Sequence, residues 1–242
     1  RVSYHELGGF GLDEVGTARR GRLWQRGGFP RSFTARSEAD SLAWRRDFIQ
    51  TFVERDLPQL GLALPSVAIR RFWTMLAHYH GQTWNSSELA RAFGVSDTTV
   101  RRYLDLLTAT LVVRQLQPWH ENLGKRQVKA PKVYVTDSGL LHALLDVTGT
   151  DTLDRHPKVG ASWEGFCLSA TVRRLGARAD ECFFWRTYAG AEIDLLVVRG
   201  RVRRGFEFKR SDAPRLTPSM RSALADLKLD SLDVVYPGDQ NF

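Results

Sequence analysis

Two alternating runs near the carboxy-terminal end restrict the fold more than any other feature. Glu192-Ile193-Asp194-Leu195-Leu196-Val197-Val198 and the stretch from Val202 to Lys209 both read as β-strands, separated by a turn at Arg199-Gly200. Strand side chains change face at every residue, so Glu192 and Asp194 share one face and Glu207 and Lys209 share one face of the next strand. A two-residue loop at Arg199-Gly200 predicts Glu192 opposite Glu207 and Asp194 opposite Gly205. Three carboxylates and one amine then meet on one surface. Like charges across a ladder repel, so stability alone does not select this arrangement, and a bound divalent cation is the simplest thing that makes it favourable.

The rest of the chain predicts two further regions. Residues 1–64 are Gly-rich at first and then helical, with an amphipathic helix over Leu42 to Leu57 that carries Phe48, Phe52 and Val53 inward and stops at Pro58. Residues 65–147 open with a helix from Val67 to Tyr79. Ser86 to Leu104 follows, with a small residue at Ala90, a turn glycine at Gly94, apolar anchors at Leu89, Phe93, Val95, Val100 and Tyr103, and Ser96 as a cap. Two steeply crossing helices need a small residue where they touch and a glycine at the turn, so this spacing marks a helix-turn-helix. Leu111 to Leu116 and Lys132 to Thr136 read as two strands joined by a basic loop, which completes a winged helix. Asp137 or Ser138 caps a short helix, and polar residues from Thr148 to His156 read as a linker.

Residues 148–242 then give helix, three strands, helix and strand: Val159 to Leu175, Cys182 to Trp185, Ile193 to Val198, Val202 to Phe208, Pro218 to Leu227 and Leu232 to Tyr236. The expected class is therefore α+β or α/β. Glu164 sits on the first of these helices in line with Leu168, Thr171 and Leu175, and a carboxylate on an apolar line needs a partner or a cation unless it simply favours the helix N-terminus.

Charge separates the function classes. The chain carries 35 Lys and Arg against 27 Asp and Glu, a net +8. The surplus is concentrated: eight basic against four acidic residues lie between Glu88 and Lys132, and eight against two between Arg199 and Arg221. A polyanionic partner is the expectation. On the second helix of the helix-turn-helix, Thr98, Thr99, Arg101 and Arg102, with Lys125, Arg126 and Lys129 of the basic loop, fit phosphate positioning and groove contact with DNA. The alternative is a solvated face on a connector module. Cys167 and Cys182 have neither zinc nor disulfide spacing, His78 and His80 read as structural, and no apolar run approaches bilayer length, so a cytoplasmic protein without membrane contact is expected. No Walker A loop or GxGxxG fingerprint occurs. Because the first residue is Arg rather than Met, the expectation is a fragment or processed chain.

Asp194 followed by a hairpin and Glu207-Phe208-Lys209 resembles the catalytic core of the PD-(D/E)XK, restriction-endonuclease-like nuclease superfamily. The αβββαβ order of residues 148–242 is similar to that core. The resemblance implies a Mg²⁺ or Mn²⁺ site at Asp194 and Glu207 assisted by Glu164, with Lys209 orienting the attacking water, and hence endodeoxyribonuclease activity. The whole ordering resembles the carboxy-terminal region of a group of prokaryotic AAA-type ATPases, in which a P-loop domain precedes a winged helix and an endonuclease-like domain often recorded as a domain of unknown function. Gly27-Gly28-Phe29-Pro30, Phe52 to Leu57, Val133 to Leu140, Gly160 to Glu164 and Ala191 to Asp194 carry that likeness, and Tyr4, Leu7 and Leu12 resemble the segment just after the P-loop domain. It implies an upstream ATPase domain as partner and ATP only through that domain. A catalytically silent DNA- or protein-docking module is the alternative.

Overall fold

The computed structural model describes residues 7–60, 64–121, 124, 126–211 and 214–238. They form two compact units: residues 1–78 with 137–159, and residues 79–136 with 160–242. The boundaries expected at 64/65 and 147/148 both fall inside a unit, and the helix Ser66–His78, expected to open the winged helix, belongs to the first.

The first unit is helical. Ser37 caps the helix Glu38–Thr51 by accepting the Asp40 amide at 3.0 Å. The helix continues into a π-helical turn, Phe52–Asp56, that carries Phe52 and Val53 into the core. Helix Ser66–His78 buries Ile69, Phe72, Trp73 and Leu76 at helical spacing. Chain reversal at Asp137 starts the helix Ser138–Leu144: Asp137 Oδ1 accepts the Leu140 amide at 2.9 Å and Oδ2 accepts the Gly28 amide at 2.7 Å. Gly139 allows that approach, since a Cβ there would lie 2.1 Å from the Arg26 carbonyl oxygen. The expected linker over 148–156 instead holds a short helix, Thr150–Asp154, tied down where Thr150 Oγ1 donates to Gln25 Oε1 at 2.7 Å.

The second unit is built on a seven-stranded mixed sheet with strands β1 (Gln82–Thr83), β2 (Val113–Pro118), β3 (Lys132–Val135), β4 (Cys182–Arg186), β5 (Glu192–Arg199), β6 (Val202–Phe208) and β7 (Ser231–Val235), in the order β1-β3-β2-β4-β5-β6-β7. Helices Ser86–Phe93 and Asp97–Ala109 form the helix-turn-helix; Gly94 ends the first at φ +76°, and Ser96 caps the second by accepting the Thr99 amide. β2 runs antiparallel to β3 and parallel to β4, through Gln117 with Phe183 and Pro118 with Phe184. This pairing joins the expected wing strands and the carboxy-terminal strands in one sheet. β4, β5 and β6 form an antiparallel meander, and the helix Pro218–Leu227 crosses over to place β7 parallel to β6. Trp185, Ile193, Leu196, Ala223 and Leu227 fill the core between that helix and the sheet.

The hairpin register differs from expectation by two residues. Arg199 pairs with Val202, so the loop is Gly200-Arg201, and Leu196 rather than Asp194 faces Gly205. Gly200 takes φ +61°. A primed hairpin turn needs positive φ at its first position, which glycine accepts at no steric cost, so the loop begins at the glycine. A slip of two leaves every side chain on its expected face. Leu195 pairs with Phe206. One further step along this register sets Asp194, instead of Glu192, across from Glu207.

Candidate active site

A pocket of about 700 Å³ in the second unit is lined by residues of five strands and two helices, with its charged side chains coming from four of the strands, the residue after β6 and one helix. Asp194 (7% exposed) comes from β5 and Glu207 (6%) from β6. Lys209 follows β6 and Glu164 projects from the helix Val159–Leu175; all four residues singled out from the sequence line this pocket, together with Lys132, Arg186 and Glu192. Helix Val159–Leu175 can bring Glu164 this close because residue 165 is glycine: a Cβ there would meet His80 Nε2 at 2.3 Å and Tyr134 Cδ1 at 3.3 Å. His80 is structural, as expected, and its Nδ1 accepts the Val135 amide at 3.0 Å.

The carboxylates are unequally satisfied. Asp194 Oδ2 accepts the Phe208 amide at 2.9 Å, and Glu207 Oε1 accepts from Lys209 Nζ at 2.6 Å. Glu207 Oε2 is buried and has no hydrogen-bond partner. Burial, with Glu164 and then Glu207 adding repulsion, pushes the Asp194 carboxyl up to about 8 against the opposing pull of Lys132. Burial also raises Glu207, although Lys209 opposes it.

Lys132 is the residue the sequence reading missed. It is 3% exposed, and its Nζ lies 2.5 Å from Glu192 Oε1, 3.1 Å from Glu164 Oε1 and 3.6 Å from Asp194 Oδ1. Burial would lower this ammonium; Tyr134, Glu164, Asp194 and Glu192 outweigh it and hold Lys132 well above the usual lysine range. Tyr134 donates its hydroxyl to Glu164 Oε1 at 2.6 Å. The sequence shows only a lysine leading an apolar run, Lys132-Val133-Tyr134-Val135, and the structure buries all four residues of that strand. Ser219 holds Glu192 by accepting its amide at 2.7 Å and donating to its carbonyl at 2.9 Å.

Hard-oxygen ligands, an orphaned carboxylate oxygen and two carboxyls pushed towards neutrality suit a divalent cation at Asp194 and Glu207. Among the described residues, no three His, Cys, Asp or Glu side chains converge as a metal-holding group. The fit is therefore to a pair, Asp194 and Glu207, with Glu164 engaged by Tyr134 and Lys132.

The nucleic-acid candidates lie apart from the pocket-lining set. Thr98, Arg101, Arg102, Arg126 and Lys129 are exposed and Thr99 is half-buried. Thr98 and Thr99 hydroxyls both bond Ser96 Oγ, at 2.8 and 2.9 Å, so they also serve the cap. Arg101 lies over the Trp84 ring at 5.8 Å and Arg126 over Tyr188 at 4.5 Å. Lys125, and Tyr4 of the amino-terminal resemblance, fall outside the described residues.

The family model of a domain of unknown function, DUF8612, matches residues 19–151, more than half of the chain. The chain belongs to the DUF8612 family. In this DUF8612 member a second model, the domain of unknown function DUF4143, matches residues 159–242. Two uncharacterized proteins, of Mycobacterium bovis and of Mycobacterium tuberculosis, are each 52% identical over all 242 residues. The chain spans 54% of the length of each, about half. A solved transcriptional regulator is 24% identical with a TM-score of 0.25, covering 58% of this chain and 96% of that one; so low a score says nothing of the fold. Among the described residues no helix is long and apolar enough to cross a membrane, and Cys167 and Cys182 are buried free thiols.

Proposed function

We propose that the second unit is a metal-dependent, PD-(D/E)XK-like nuclease module that cleaves DNA phosphodiester bonds. One observation carries this reading: Glu207 is buried with its Oε2 unpartnered, on the strand beside that of the equally buried Asp194, whose carboxyl it repels. That arrangement is costly in the isolated protein and favourable once a cation is bound. The strand and helix order of residues 160–235 supports it. Asp194 Oδ1 and Glu207 Oε2 would hold Mg²⁺ or Mn²⁺, which when bound lowers the pKa of its water and neutralises charge on the phosphate. Lys209, anchored on Glu207 and partly exposed, places an ammonium where a phosphate oxygen would approach. Arg101, Arg102, Arg126 and Lys129 would hold the duplex through its phosphates, and the half of the relatives' length beyond this chain would supply a P-loop ATPase domain.

Supercoiled plasmid incubated with Mn²⁺ tests the proposal. Nicking is expected from the wild type and is abolished by Asp194→Ala and by Lys209→Ala; equal nicking by all three refutes it. The second reading, a silent docking module, is favoured by the Lys132 ammonium, which already neutralises part of the cluster. It requires DNA binding that is indifferent to metal and no nicking at all.

A further inference from the structure

We propose that Lys132 is a fixed cation standing where a second divalent ion would otherwise sit, so that this pocket takes a single ion. The proposal rests on the metal-dependent reading of the same site and specifies its stoichiometry. The pocket's carboxylates divide into two sets. Asp194 and Glu207 form one, with Glu207 Oε2 unpartnered. Glu164 and Glu192 form the other, and both accept Lys132 Nζ, at 3.1 and 2.5 Å. Asp194 Oδ1 lies between the sets, 3.6 Å from the same nitrogen.

Paired metals in phosphodiester-cleaving sites stand roughly 3.5–4 Å apart and share a carboxylate, so a second ion beside one on Asp194 and Glu207 would need the Glu164 and Glu192 oxygens. Lys132 already holds Oε1 of each, Arg186 faces Glu192 Oε2 at 3.5 Å, and the Lys132 side chain is held in place. Its strand is pinned on both sides, by Thr83 and by Leu116, its side chain is 4% exposed, and its Nζ lies 5.7 Å from the Phe184 ring centroid. Displacing it would strand a buried ammonium among carboxylates that hold it. Lys132 comes from β3, upstream of the endonuclease-like strands and in the region expected to be the wing. The pairing of β2 with β4 is what delivers it to the pocket.

Calorimetric titration of the full chain with Mn²⁺ tests this, with thermal stability read in parallel with and without the ion. One ion per chain is expected for wild type and for Lys132→Arg, and two for Lys132→Met, which keeps the straight stem and loses the charge. Lys132→Met should also melt lower without metal and recover more on adding Mn²⁺ than wild type does. Two ions in the wild type overturn the proposal, as does one ion in Lys132→Met with no extra metal-dependent recovery. Should Lys132→Met fail to fold without metal, Glu192→Gln with Lys132 intact must still bind one ion, and two would overturn it. No Mn²⁺ binding in the wild type refutes the nuclease reading itself, which separates that failure from this one.

Discussion

Both units bury charge, and they do it in opposite ways. In the first, Arg45 is 1% exposed yet donates to the Ser41 carbonyl at 3.1 Å, the Gly139 carbonyl at 2.9 Å and the Gln25 carbonyl at 3.3 Å. Burial lowers its pKa to about 10, against the pull of Asp137 and Glu38. Burial raises Asp137, but the amides of Leu140, Gly28 and Gly139, together with Arg45, pull it back. In the second unit Glu207 keeps a bare oxygen and Asp194 is pushed to about 8 with other carboxylates around it. Satisfied buried charge fixes chain segments in place, whereas unsatisfied buried charge is destabilising until something outside the chain binds.

The largest expected effect falls on the satisfied network. Arg45→Met strands three buried carbonyls and should cost about 3–5 kcal/mol, seen as a lower urea midpoint at unchanged slope. A loss below about 1 kcal/mol would erase the contrast between the units.

Next in size is a pH effect centred on Asp194. The Asp194 carboxyl sits at about 8 in the folded protein against an ordinary 3.8, so the folded state holds this proton more tightly than the unfolded chain. Its contribution to stability is full below the ordinary value and is lost as pH rises through about 8. Metal-free wild type should therefore weaken between about pH 4 and pH 8, and Asp194→Asn should flatten that slope, as read from denaturation midpoints across the range. Identical profiles for the two proteins would break the comparison.

The smallest stability effect belongs to the exposed cations. Arg101→Ala with Arg102→Ala should change stability by less than about 0.5 kcal/mol while flattening the salt dependence of DNA binding by up to about two units. An unchanged slope would assign the helix-turn-helix to a connecting role.

Much of this was legible in the sequence because the signals are local. Periodicity, the Ser96 and Asp137 caps and the Gly94 turn placed the helices Ser66–His78, Asp97–Ala109 and Ser138–Leu144 within a few residues, while the short helices Arg20–Arg26 and Thr150–Asp154 were missed, and strand alternation put Asp194, Glu207 and Lys209 on their faces. The hairpin register was missed by two because the loop begins at Gly200 rather than Arg199, a choice set by backbone φ and not by hydrophobic pattern. Lys132 stayed hidden for a different reason. It reaches the pocket only through the parallel pairing of β2 with β4, whose partners Gln117 and Phe183 are far apart in the chain, and no local pattern announces such a pairing. The same pairing puts the expected wing strands into one unit with the carboxy-terminal strands.

Denaturation of the wild type and of Glu207→Gln, each with and without Mn²⁺, tests most directly whether the second unit's unsatisfied charge is kept for an ion. Without metal the variant should be no less stable than the wild type, because it removes a buried charge that keeps one oxygen without a partner although Lys209 holds the other. With Mn²⁺ at a hundredfold excess over its dissociation constant the wild type should gain about 2.7 kcal/mol and the variant far less. A variant that is clearly less stable without metal, alongside a wild type that Mn²⁺ leaves unchanged, would contradict the account.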